Sequence, residues 1–519
     1  MITSLSPVIL IAFGEYDNLG VGYLSSVLRR EGIETGMIDF RYDDQEILVA
    51  IKRHAPPVVG FSVVYEGYID EFASLARYLR QGGVRAHFTA GGYFASLNPG
   101  ELFRLIPELD SIVRFEGETT FPELVKRIYT CTNWRDIKSI AFRQNDRIVM
   151  TPLRPLEKDI DVFPFPARRP LTDYIPGVKF ATLIAGRGCR YNCSFCNTRE
   201  FYQTPGGPLK RIRKPEAVLD EMEQLYHDKG CIVFLFQDDD FPVKNKGNND
   251  WVKSFCSGLE QRRLHDKIMW KINCRPDEID AGCFAMMKQH GLFLAFIGLE
   301  DGTDEGLARL NKGMTASKNI EAAEILKNLD IGFDYGFMLF QPESTFKSLK
   351  ENLEFLGTIC GDGYTPLSFL KLIPCFNTRV ERELSENGRL KGRPGNLDYD
   401  FMNAALDSCY QTVLACFASW MWSAGGVTNL AKHARNYYAV KDHYGKSDAS
   451  VKRRKEQFRE ILAESNLWMV GTMKSLFDIY ESGNYMKEGA ASIEMIISEA
   501  KAKHHTCCQG IRECFMPGS

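Results

Sequence analysis

Long apolar runs are missing from this chain of 519 residues. No stretch approaches the roughly 20 consecutive apolar residues that a membrane-spanning helix needs. Residues 1–7 also lack the basic start and the cleavage site of a secretory signal. We therefore expect a protein that has no membrane association and works in the cytoplasm.

An excess of positive charge is missing as well. The sequence has 64 Lys and Arg residues and 67 Asp and Glu residues, which gives a net charge of -3. This balance argues against a nucleic-acid partner. Internal repeats and low-complexity segments are also absent from the sequence. The length predicts two or three globular domains.

Nothing in the sequence favours disulfides. Fifteen cysteines without a secretory signal indicate a reducing compartment and metal chemistry. The first of them is Cys131, so the segment before it cannot hold a cysteine-ligated cluster.

Three cysteines, Cys189, Cys193 and Cys196, follow the apolar, strand-like run 180–185. Their thiolates can close on one iron–sulfur cluster from a single loop. Most such clusters take four cysteines, so three would leave one iron open for a substrate or a second cofactor. The alternatives are a zinc knuckle or unrelated core thiols; zinc sites usually bring a second Cys or His pair at short spacing, which is not visible here.

The spacing Cys-x3-Cys-x2-Cys, with Phe195 before the last cysteine, resembles the radical S-adenosylmethionine (SAM) superfamily. The resemblance implies that these cysteines hold a [4Fe–4S] cluster and that Phe195 contacts SAM. It also implies that SAM binds the open iron and that the reduced cluster cleaves it to a 5′-deoxyadenosyl radical. An electron donor such as flavodoxin or ferredoxin is then a required partner.

Strands and helices alternate in the N-terminal third. Apolar runs predict strands over 8–13, 35–40, 58–64 and 86–90, with a helix over 20–31. This order predicts a doubly wound, flavodoxin-like parallel sheet with a ligand at the carboxyl ends of its strands. Taken alone, such a domain has a structural or regulatory role about as readily as a cofactor-binding one.

Ahead of a radical SAM core, this segment resembles a cobalamin-binding domain. The matching stretches are 18–24, 90–92 and 115–118. The cobalamin contacts implied by the resemblance are Asn18, Gly20, Ser62, Gly91, Gly92 and Gly117.

One departure concerns the cobalt ligand. Domains that ligate cobalt through histidine carry Asp-x-His-x-x-Gly, and here Asp17 stands at the position of that histidine. Carboxylate is a poor substitute for imidazole, and His54 and His87 are expected to be ordinary surface or core residues. An unligated lower face favours a nucleophilic cob(I)alamin, which suits methyl transfer.

Acidic residues follow the apolar run 232–236. The resemblance implies SAM contacts for Asp238 and Asp239; a solvated loop or a bivalent cation site are the alternatives. Arg275, after the run 269–274, can pair with the SAM carboxylate or simply with Asp277. Glu300 ends the fourth predicted core strand, 293–299, and resembles the family's SAM-binding glutamate.

Two further core strands are predicted over 332–340 and 370–374, which completes a partial (β/α)6 barrel. We predict a cobalamin-binding Rossmann-like domain over 1–150, a linker over 151–175, a radical SAM core over 176–390 and a mainly helical C-terminal domain over 391–519. Within the last, 409–421 predicts a buried helix or the wall of a substrate pocket. Cys507, Cys508 and Cys514 predict spare thiols. With His504 and His505, the alternatives are a second metal or cluster site, or a thiol that quenches or relays a radical.

The function implied is that of a cobalamin-dependent radical SAM methyltransferase. It would methylate an unactivated carbon or a phosphinate phosphorus of a small metabolite, through methylcobalamin and a 5′-deoxyadenosyl radical. One alternative is cyclisation or rearrangement without methyl transfer. Another is a non-catalytic iron–sulfur or cobalamin sensor. The sequence assigns neither the substrate nor a catalytic side chain.

Overall fold

The computed structural model describes residues 6–14, 17–64, 66–243, 250–483, 485 and 489–515. Glu15 and Tyr16, which precede Asp17 in the predicted cobalt-ligand register, lie outside the described residues, as do residues 1–5 of the N-terminus.

The N-terminal part forms a seven-stranded sheet in the order β2-β1-β3-β4-β5-β6-β7. The first five strands in this order run parallel, whereas β6 pairs antiparallel with β5, and β7 pairs antiparallel with β6. The strands are β1 (Val8–Ala12), β2 (Thr35–Asp39), β3 (Val58–Ser62), β4 (His87–Gly91), β5 (Ser111–Val113), β6 (Ile140–Gln144) and β7 (Arg147–Met150). The helices are α1 (Leu19–Arg30), α2 (Asp44–His54), α3 (Ile69–Gln81), α4 (Tyr93–Leu97), α5 (Pro99–Leu105) and α6 (Gly117–Tyr129).

Strand β1 shows why its sequence is continuously apolar. Its five residues are all buried. Ile9 and Ile11 pack into one hydrophobic cluster, while Val8, Leu10 and Ala12 pack into another, because helices cover both faces of the sheet. The predicted doubly wound, flavodoxin-like sheet is confirmed.

The central part is built on a six-stranded sheet in the order β15-β14-β13-β12-β9-β8. All of its strands are parallel except β8, which pairs antiparallel with β9. The strands are β8 (Asp173–Ile175), β9 (Val178–Leu183), β12 (Val233–Phe236), β13 (Met269–Cys274), β14 (Leu292–Glu300) and β15 (Gly332–Phe337), with β10 (Gly186–Gly188) and β11 (Lys210–Ile212) as a separate pair. The helices are α7 (Thr198–Gln203), α8 (Pro215–Lys229), α9 (Asp250–Gln261), α10 (Ala281–Gln289), α11 (Asp304–Arg309), α12 (Ala316–Asn328), α13 (Phe346–Cys360) and α14 (Arg379–Glu386).

The predicted sixth core strand, 370–374, is not a regular strand. Its ladder with the preceding segment is reduced to one parallel bridge between Phe340 and Lys371. Leu370 and Ile373 are exposed there, at 46% and 64%, so little apolar burial stabilises a longer strand. The partial barrel therefore has five parallel strands and a bridged sixth segment.

The C-terminal part is helical, as predicted, apart from the hairpin β16 (Leu390–Arg393) and β17 (Asn396–Tyr399). Its helices are α15 (Ala404–Trp422), α16 (Val427–His443), α17 (Ala449–Glu481) and α18 (Gly489–Phe515). The apolar run 409–421 lies in α15, and its residues Cys409, Val413 and Phe417 are buried in the main hydrophobic core. In the described part of the chain, none of the helices is long and apolar enough to cross a membrane.

Candidate functional site: a cysteine loop and a large cavity between two sheets

The three motif cysteines lie on the loop that follows β10. Gly188 ends that strand at a φ of 83°, and a Cβ there would lie 2.0 Å from the Leu209 carbonyl oxygen. Only glycine therefore allows β10 and β11 to approach this closely. Cys189 and Cys193 are half-buried and Cys196 is exposed; all three are free thiols.

Ser194 anchors the cysteine loop between its second and third cysteines. Its amide donates to the Leu310 carbonyl at 3.0 Å and its hydroxyl to the Arg309 carbonyl at 3.1 Å. The Ser194 carbonyl in turn accepts from the amide of Val380 at 3.1 Å. The loop is thus fixed from two sides, as a preorganised cluster site requires.

The three thiols do not form a site for a single metal ion. Among the described residues, no group of three or more His, Cys, Asp or Glu side chains could hold one metal ion. In a [4Fe–4S] cluster each cysteine binds a different iron, so its ligands need not meet at one point. The described residues therefore give no support to three alternatives from the sequence analysis. These are zinc at the motif, a cation at Asp238–Asp240, and a metal at Cys507, Cys508 and Cys514. Within that C-terminal set, Cys508 Sγ lies 3.4 Å from His504 Nε2.

The consecutive carboxylates after β12 have different environments. Asp238 is buried and accepts from the Ala185 amide at 3.0 and 3.1 Å, and burial raises its pKa to about 7. Asp239 accepts from the Gly188 amide at 3.0 Å and also lines the large cavity described below. Asp240 is buried in an ion pair with Lys210. Of the two predicted SAM contacts here, Asp239 therefore lines the cavity. Asp238 instead holds Ala185, the residue just before β10 and the cysteine loop.

Arg275 and Cys193 are neighbours. The Nη1 atom of Arg275 lies 3.7 Å from Cys193 Sγ, and the guanidinium stacks over the Tyr191 ring, 3.9 Å from its centroid. Its Nε donates to Asp277 at 2.8 Å, the alternative partner in the sequence analysis. Arg275 thus supports the cysteine loop, and its role toward SAM stays a prediction.

Glu300 lies close to the same loop, in an unusual backbone conformation. Its φ is 64°, and the register of β14 against β15 shifts between Gly298 and Glu300. A Cβ on Gly298 would lie 2.4 Å from Glu300 Oε1, so glycine leaves the space that this carboxylate fills. Strained backbone of this kind is often kept at ligand sites.

Sequence reasoning gave no role to Lys312, which contacts two of the predicted SAM residues, Glu300 and Arg275. Its Nζ lies 3.5 Å from Glu300 Oε1, and its carbonyl accepts from Arg275 Nη2. Burial raises the pKa of Glu300, while Lys312 opposes that rise. A lysine in a loop carries no distinctive spacing, so the sequence gives no signal for this role. Phe195, the remaining predicted SAM residue, packs against the main hydrophobic core.

A cavity of about 1040 Å³ lies between the N-terminal sheet and the core. All predicted cobalamin contacts line it: Asn18, Gly20, Ser62, Gly91, Gly92 and Gly117. Gly92 has a φ of 120°, and a Cβ there would lie 2.2 Å from the Val63 carbonyl oxygen. Asn18 has a further duty as the cap of α1, where its Oδ1 accepts from the Val21 amide at 3.1 Å.

The inner end of this cavity reaches the N-terminal sheet itself. Leu10 on β1, Gly60 on β3 and Thr89 on β4 line it there, at the point where the strand order reverses. Ligands of doubly wound sheets bind at such switch points. A Cβ at Gly60 would lie 2.7 Å from Leu10 Cδ2, so the absent side chain keeps this end open. The cavity and its glycines fit a large, flat cofactor.

The core contributes the opposite wall and is tied to the first domain by ion pairs. Arg187 pairs with Glu116 at 3.1 Å and with Glu118 at 2.6 Å, and Arg211 pairs with Glu116 at 2.6 Å. These acids flank Gly117 in a stretch that the sequence analysis assigned to cobalamin. Sequence reasoning missed their second role because the partners lie about 70 to 95 residues away.

Asp17 offers no imidazole to the cavity it lines. Its carboxylate forms a buried ion pair with Arg168 and accepts from the Thr182 hydroxyl at 3.3 Å. His54 is exposed, and His87 is bonded to the Ser111 hydroxyl at 2.8 Å; neither lines the cavity. The one histidine among its described lining residues is His433 on α16, which the sequence analysis did not consider.

Comparison with known proteins agrees with this architecture. Residues 6–125 match the B12 binding domain and residues 183–356 match the radical SAM superfamily. An uncharacterized methyltransferase of Pyrococcus horikoshii is 26% identical over 343 residues, which cover 65% of this chain and 72% of that protein. The anaerobic magnesium-protoporphyrin IX monomethyl ester cyclase of Cereibacter sphaeroides is 27% identical over 389 residues, which cover 71% of this chain but only 61% of the cyclase.

Solved structures share the fold over nearly the whole chain. The cobalamin-dependent SAM radical enzyme OxsB with aqua-cobalamin bound superposes with a TM-score of 0.70 at 17% identity, covering 98% of this chain and 80% of that one. The radical SAM methyltransferase TsrM from Kitasatospora setae, with cobalamin and a [4Fe–4S] cluster bound, gives 0.63 at 14% identity, covering 92% and 100%. The predicted cofactors, a [4Fe–4S] cluster, SAM and cobalamin, are confirmed by the two matched domains. The chain thus combines a B12 binding domain with a radical SAM domain, and it is a cobalamin-dependent radical SAM enzyme.

Proposed function

We propose that this enzyme transfers a methyl group from SAM to an unactivated carbon, or to a phosphinate phosphorus, of a small metabolite. The observation that carries the proposal is the shared cavity. Ser62 and Gly92 line it from the N-terminal domain, while Arg187 and Asp239 line it from the core, next to the cysteine loop. A substrate in this space can meet both cofactors without leaving the protein, which reactive intermediates require.

The side chains of this enzyme hold and orient the cofactors. When bound, cobalamin supplies a methyl carrier, and the cluster with SAM supplies a hydrogen-abstracting radical. Cys189, Cys193 and Cys196 would hold the cluster, and Glu300 would orient SAM with Lys312 beside it. Tyr93 stacks on Phe201 with ring centroids 4.2 Å apart and forms part of the cavity wall, which excludes water from the reaction.

The pairing of Asp17 with Arg168 supports methyl transfer over other cobalamin chemistry. A carboxylate that is held in a buried ion pair is not free to ligate cobalt, and the described residues of the N-terminal domain bring no histidine to the cavity. An unligated cobalt favours the nucleophilic state that accepts a methyl group. The methyltransferase relative from Pyrococcus horikoshii points the same way.

Cyclisation or rearrangement without methyl transfer is the second candidate, because the Cereibacter sphaeroides cyclase is as similar in sequence as that methyltransferase. The discriminating experiment incubates the reconstituted enzyme with reductant and SAM deuterated in its methyl group. A methyltransferase produces deuterated methylcobalamin and S-adenosylhomocysteine. A cyclase produces 5′-deoxyadenosine with unmodified cobalamin, which would refute our proposal. Failure to form either product would indicate a sensor.

We further propose that the enzyme works in the cytoplasm with a one-electron donor such as flavodoxin or ferredoxin. The cluster must be reduced by one electron before it cleaves SAM, so the enzyme needs an electron donor. Reduced flavodoxin should therefore support 5′-deoxyadenosine formation in place of a chemical reductant. Its failure, under conditions where dithionite succeeds, would exclude flavodoxin as the donor.

A further inference from the structure

A second cavity, of about 290 Å³, lies at the other end of the barrel. Its floor is formed by the first residues of β13, β14 and β15, which are Met269, Leu292 and Gly332. Helices α16 and α17 form its roof. We call it the barrel-base cavity. The cysteine loop is at the opposite, carboxyl-terminal edge of these strands, so neither the cluster nor SAM accounts for it.

Positive charge exceeds negative charge in the walls of the barrel-base cavity. Two aspartates, Asp330 and Asp442, and four cationic side chains line it, and a third carboxylate, Asp334, pairs with one of the four, Arg435, at 3.1 Å. The four are Lys288, Arg435, Lys455 and Arg459. Lys455 pairs with Asp442 at 2.6 Å and Arg459 with Asp330 at 3.3 Å. Burial lowers the pKa of Lys288, and the charge of Lys455 lowers it further. The excess favours a negatively charged ligand.

Hydrogen-bonding groups in the same walls are left over. Four buried atoms have no hydrogen-bond partner within the described part of the chain. They are Arg435 Nε, Arg435 Nη2, Asn436 Oδ1 and His443 Nε2. The guanidinium of Arg435 is held by its third nitrogen, Nη1, which donates to the Phe333 carbonyl at 2.8 Å and lies 3.1 Å from Asp334. Arg435 is therefore fixed in place with two donors unused, and unused buried donors are costly unless something accepts from them.

We propose that the barrel-base cavity binds a small organic oxyanion, a carboxylate or a phosphate ester. Oxyanions accept from arginine and lysine in the charge-assisted geometry that these side chains offer. Phe293, Tyr364 and Phe458 line the remaining wall and suit a short carbon frame. The volume is near the lower limit of small-molecule pockets, which restricts the ligand to a few carbon atoms.

This second site adjoins the large cavity through one turn of α16. Asn436 lines both cavities, and His433, one turn earlier, lines the large one. An anion that binds Arg435 would therefore fix the turn that contributes to the wall of the catalytic cavity. The proposal does not depend on which reaction takes place there.

The test is isothermal titration of the full-length protein, loaded with cluster, cobalamin and SAM, with inorganic phosphate and with citrate. Loading blocks the anion-binding groups of the known cofactor sites. We expect saturable binding of one molecule per chain. The double variant Lys455→Gln, Arg459→Gln should weaken it roughly tenfold or more, because two charge-assisted contacts are lost.

Lys452→Gln is the matched control, since Lys452 is exposed on the same helix and does not line the cavity. It should bind as the wild type does. Thermal unfolding of each variant reports whether α17 is still folded. Phosphate binding without citrate binding assigns a phosphate ester, and the reverse assigns a carboxylate. Absence of saturable heat with both probes, or equal affinity in the wild type and the folded double variant, would overturn the proposal.

Discussion

Asp17 and Arg168 form a buried ion pair between the N-terminal domain and the segment that leads into the core, with side chains 9% and 7% exposed. Arg168 also pairs with Glu221 on α8 and donates to the Thr182 carbonyl at 2.7 Å. The position that carries a cobalt-ligating histidine in some relatives is used here to join the two sheets. Its carboxylate is therefore a structural group of the domain interface.

Replacing Arg168 by Met should destabilise the protein strongly. The substitution leaves Asp17 and Glu221 buried without their shared cation, and breaking a buried ion pair costs about 3–5 kcal/mol. Urea unfolding followed by circular dichroism measures the loss. The control is Arg127→Met, since Arg127 is more exposed and lies 3.9 Å from Asp136, and exposed pairs contribute about 0–1 kcal/mol. Equal losses of unfolding free energy in the two variants would show that the buried pair stabilises the protein no more than an exposed pair does.

The cluster prediction concerns Cys189, Cys193 and Cys196. Their combined replacement by Ala should abolish the broad charge-transfer absorbance and the iron content of the reconstituted protein. Cys507, Cys508 and Cys514 are the matched control, because they are buried among the C-terminal helices. A triple Ala variant at those positions should keep its iron. Near-full iron in the first variant would place the cluster elsewhere.

The SAM prediction concerns Glu300 and Arg275. Each Ala variant should raise the dissociation constant of SAM by roughly ten- to a hundredfold, because a charge-assisted hydrogen bond contributes about 1.5–3 kcal/mol. Equilibrium binding to the reconstituted protein, expressed per loaded cluster, gives the affinity, and the iron content of Glu300→Ala should remain at the wild-type level. Arg309→Ala, which removes the side chain that pairs with the exposed Glu305 at 2.8 Å, is the control. Unchanged affinity in both test variants would mean that the family's roles belong to other residues.

The pH prediction concerns His87. Burial lowers the pKa of His87 to about 4, with Arg80 and Arg135 adding to the effect and Asp110 opposing it. The unfolded chain has a histidine pKa of about 6.5. Its contribution to stability is therefore complete above pH 6.5 and is lost as the pH falls toward 4, at up to roughly 1.4 kcal/mol per pH unit. In urea titrations, a His87→Gln variant should lose less stability between pH 6.5 and pH 5 than the wild type does. The control, His54→Gln at an exposed position, should lose as much stability as the wild type. A wild-type slope in His87→Gln would contradict this.

Local patterns in the sequence predicted much of the architecture. The run of β1 predicts a strand covered on both faces, because every one of its residues is apolar. Helical periodicity predicted a helix over 20–31, and α1 spans Leu19–Arg30 with Asn18 as its cap. The cysteine spacing identified the cluster loop because its ligands are close in sequence. Each of these signals acts within about a dozen residues.

Features that depend on how distant segments pack could not be predicted. Arg187 meets Glu116 only after two domains have folded against each other. His433 reaches the cavity because α16 packs beside β8, some 250 residues away along the chain. The apolar segment 370–374 resembles a strand locally, but its exposure at Leu370 and Ile373 is decided by the open side of the barrel. Sequence patterns carry no information on these distances.

The last prediction concerns the lower face of cobalamin. Asp17 is held by Arg168, and His54 and His87 do not line the cavity, so we expect base-off cobalamin without a histidine ligand. Paramagnetic resonance of the cob(II)alamin form reports this directly, because an axial nitrogen splits the cobalt lines. Spectra without nitrogen splitting, at stoichiometric cofactor, are the expected result.

His433→Ala makes this experiment sharper, because His433 is the described histidine that lines the cavity. If the wild type is unsplit, the variant should be unsplit as well and should bind cobalamin as tightly. Nitrogen splitting that disappears in His433→Ala would identify a ligand from the C-terminal helices, and the argument from Asp17 would be wrong. Splitting that persists in the variant would point to the cofactor's own base, and the same argument would fail for a different reason. Either form of splitting would remove the unligated cobalt on which the methyl-transfer proposal draws.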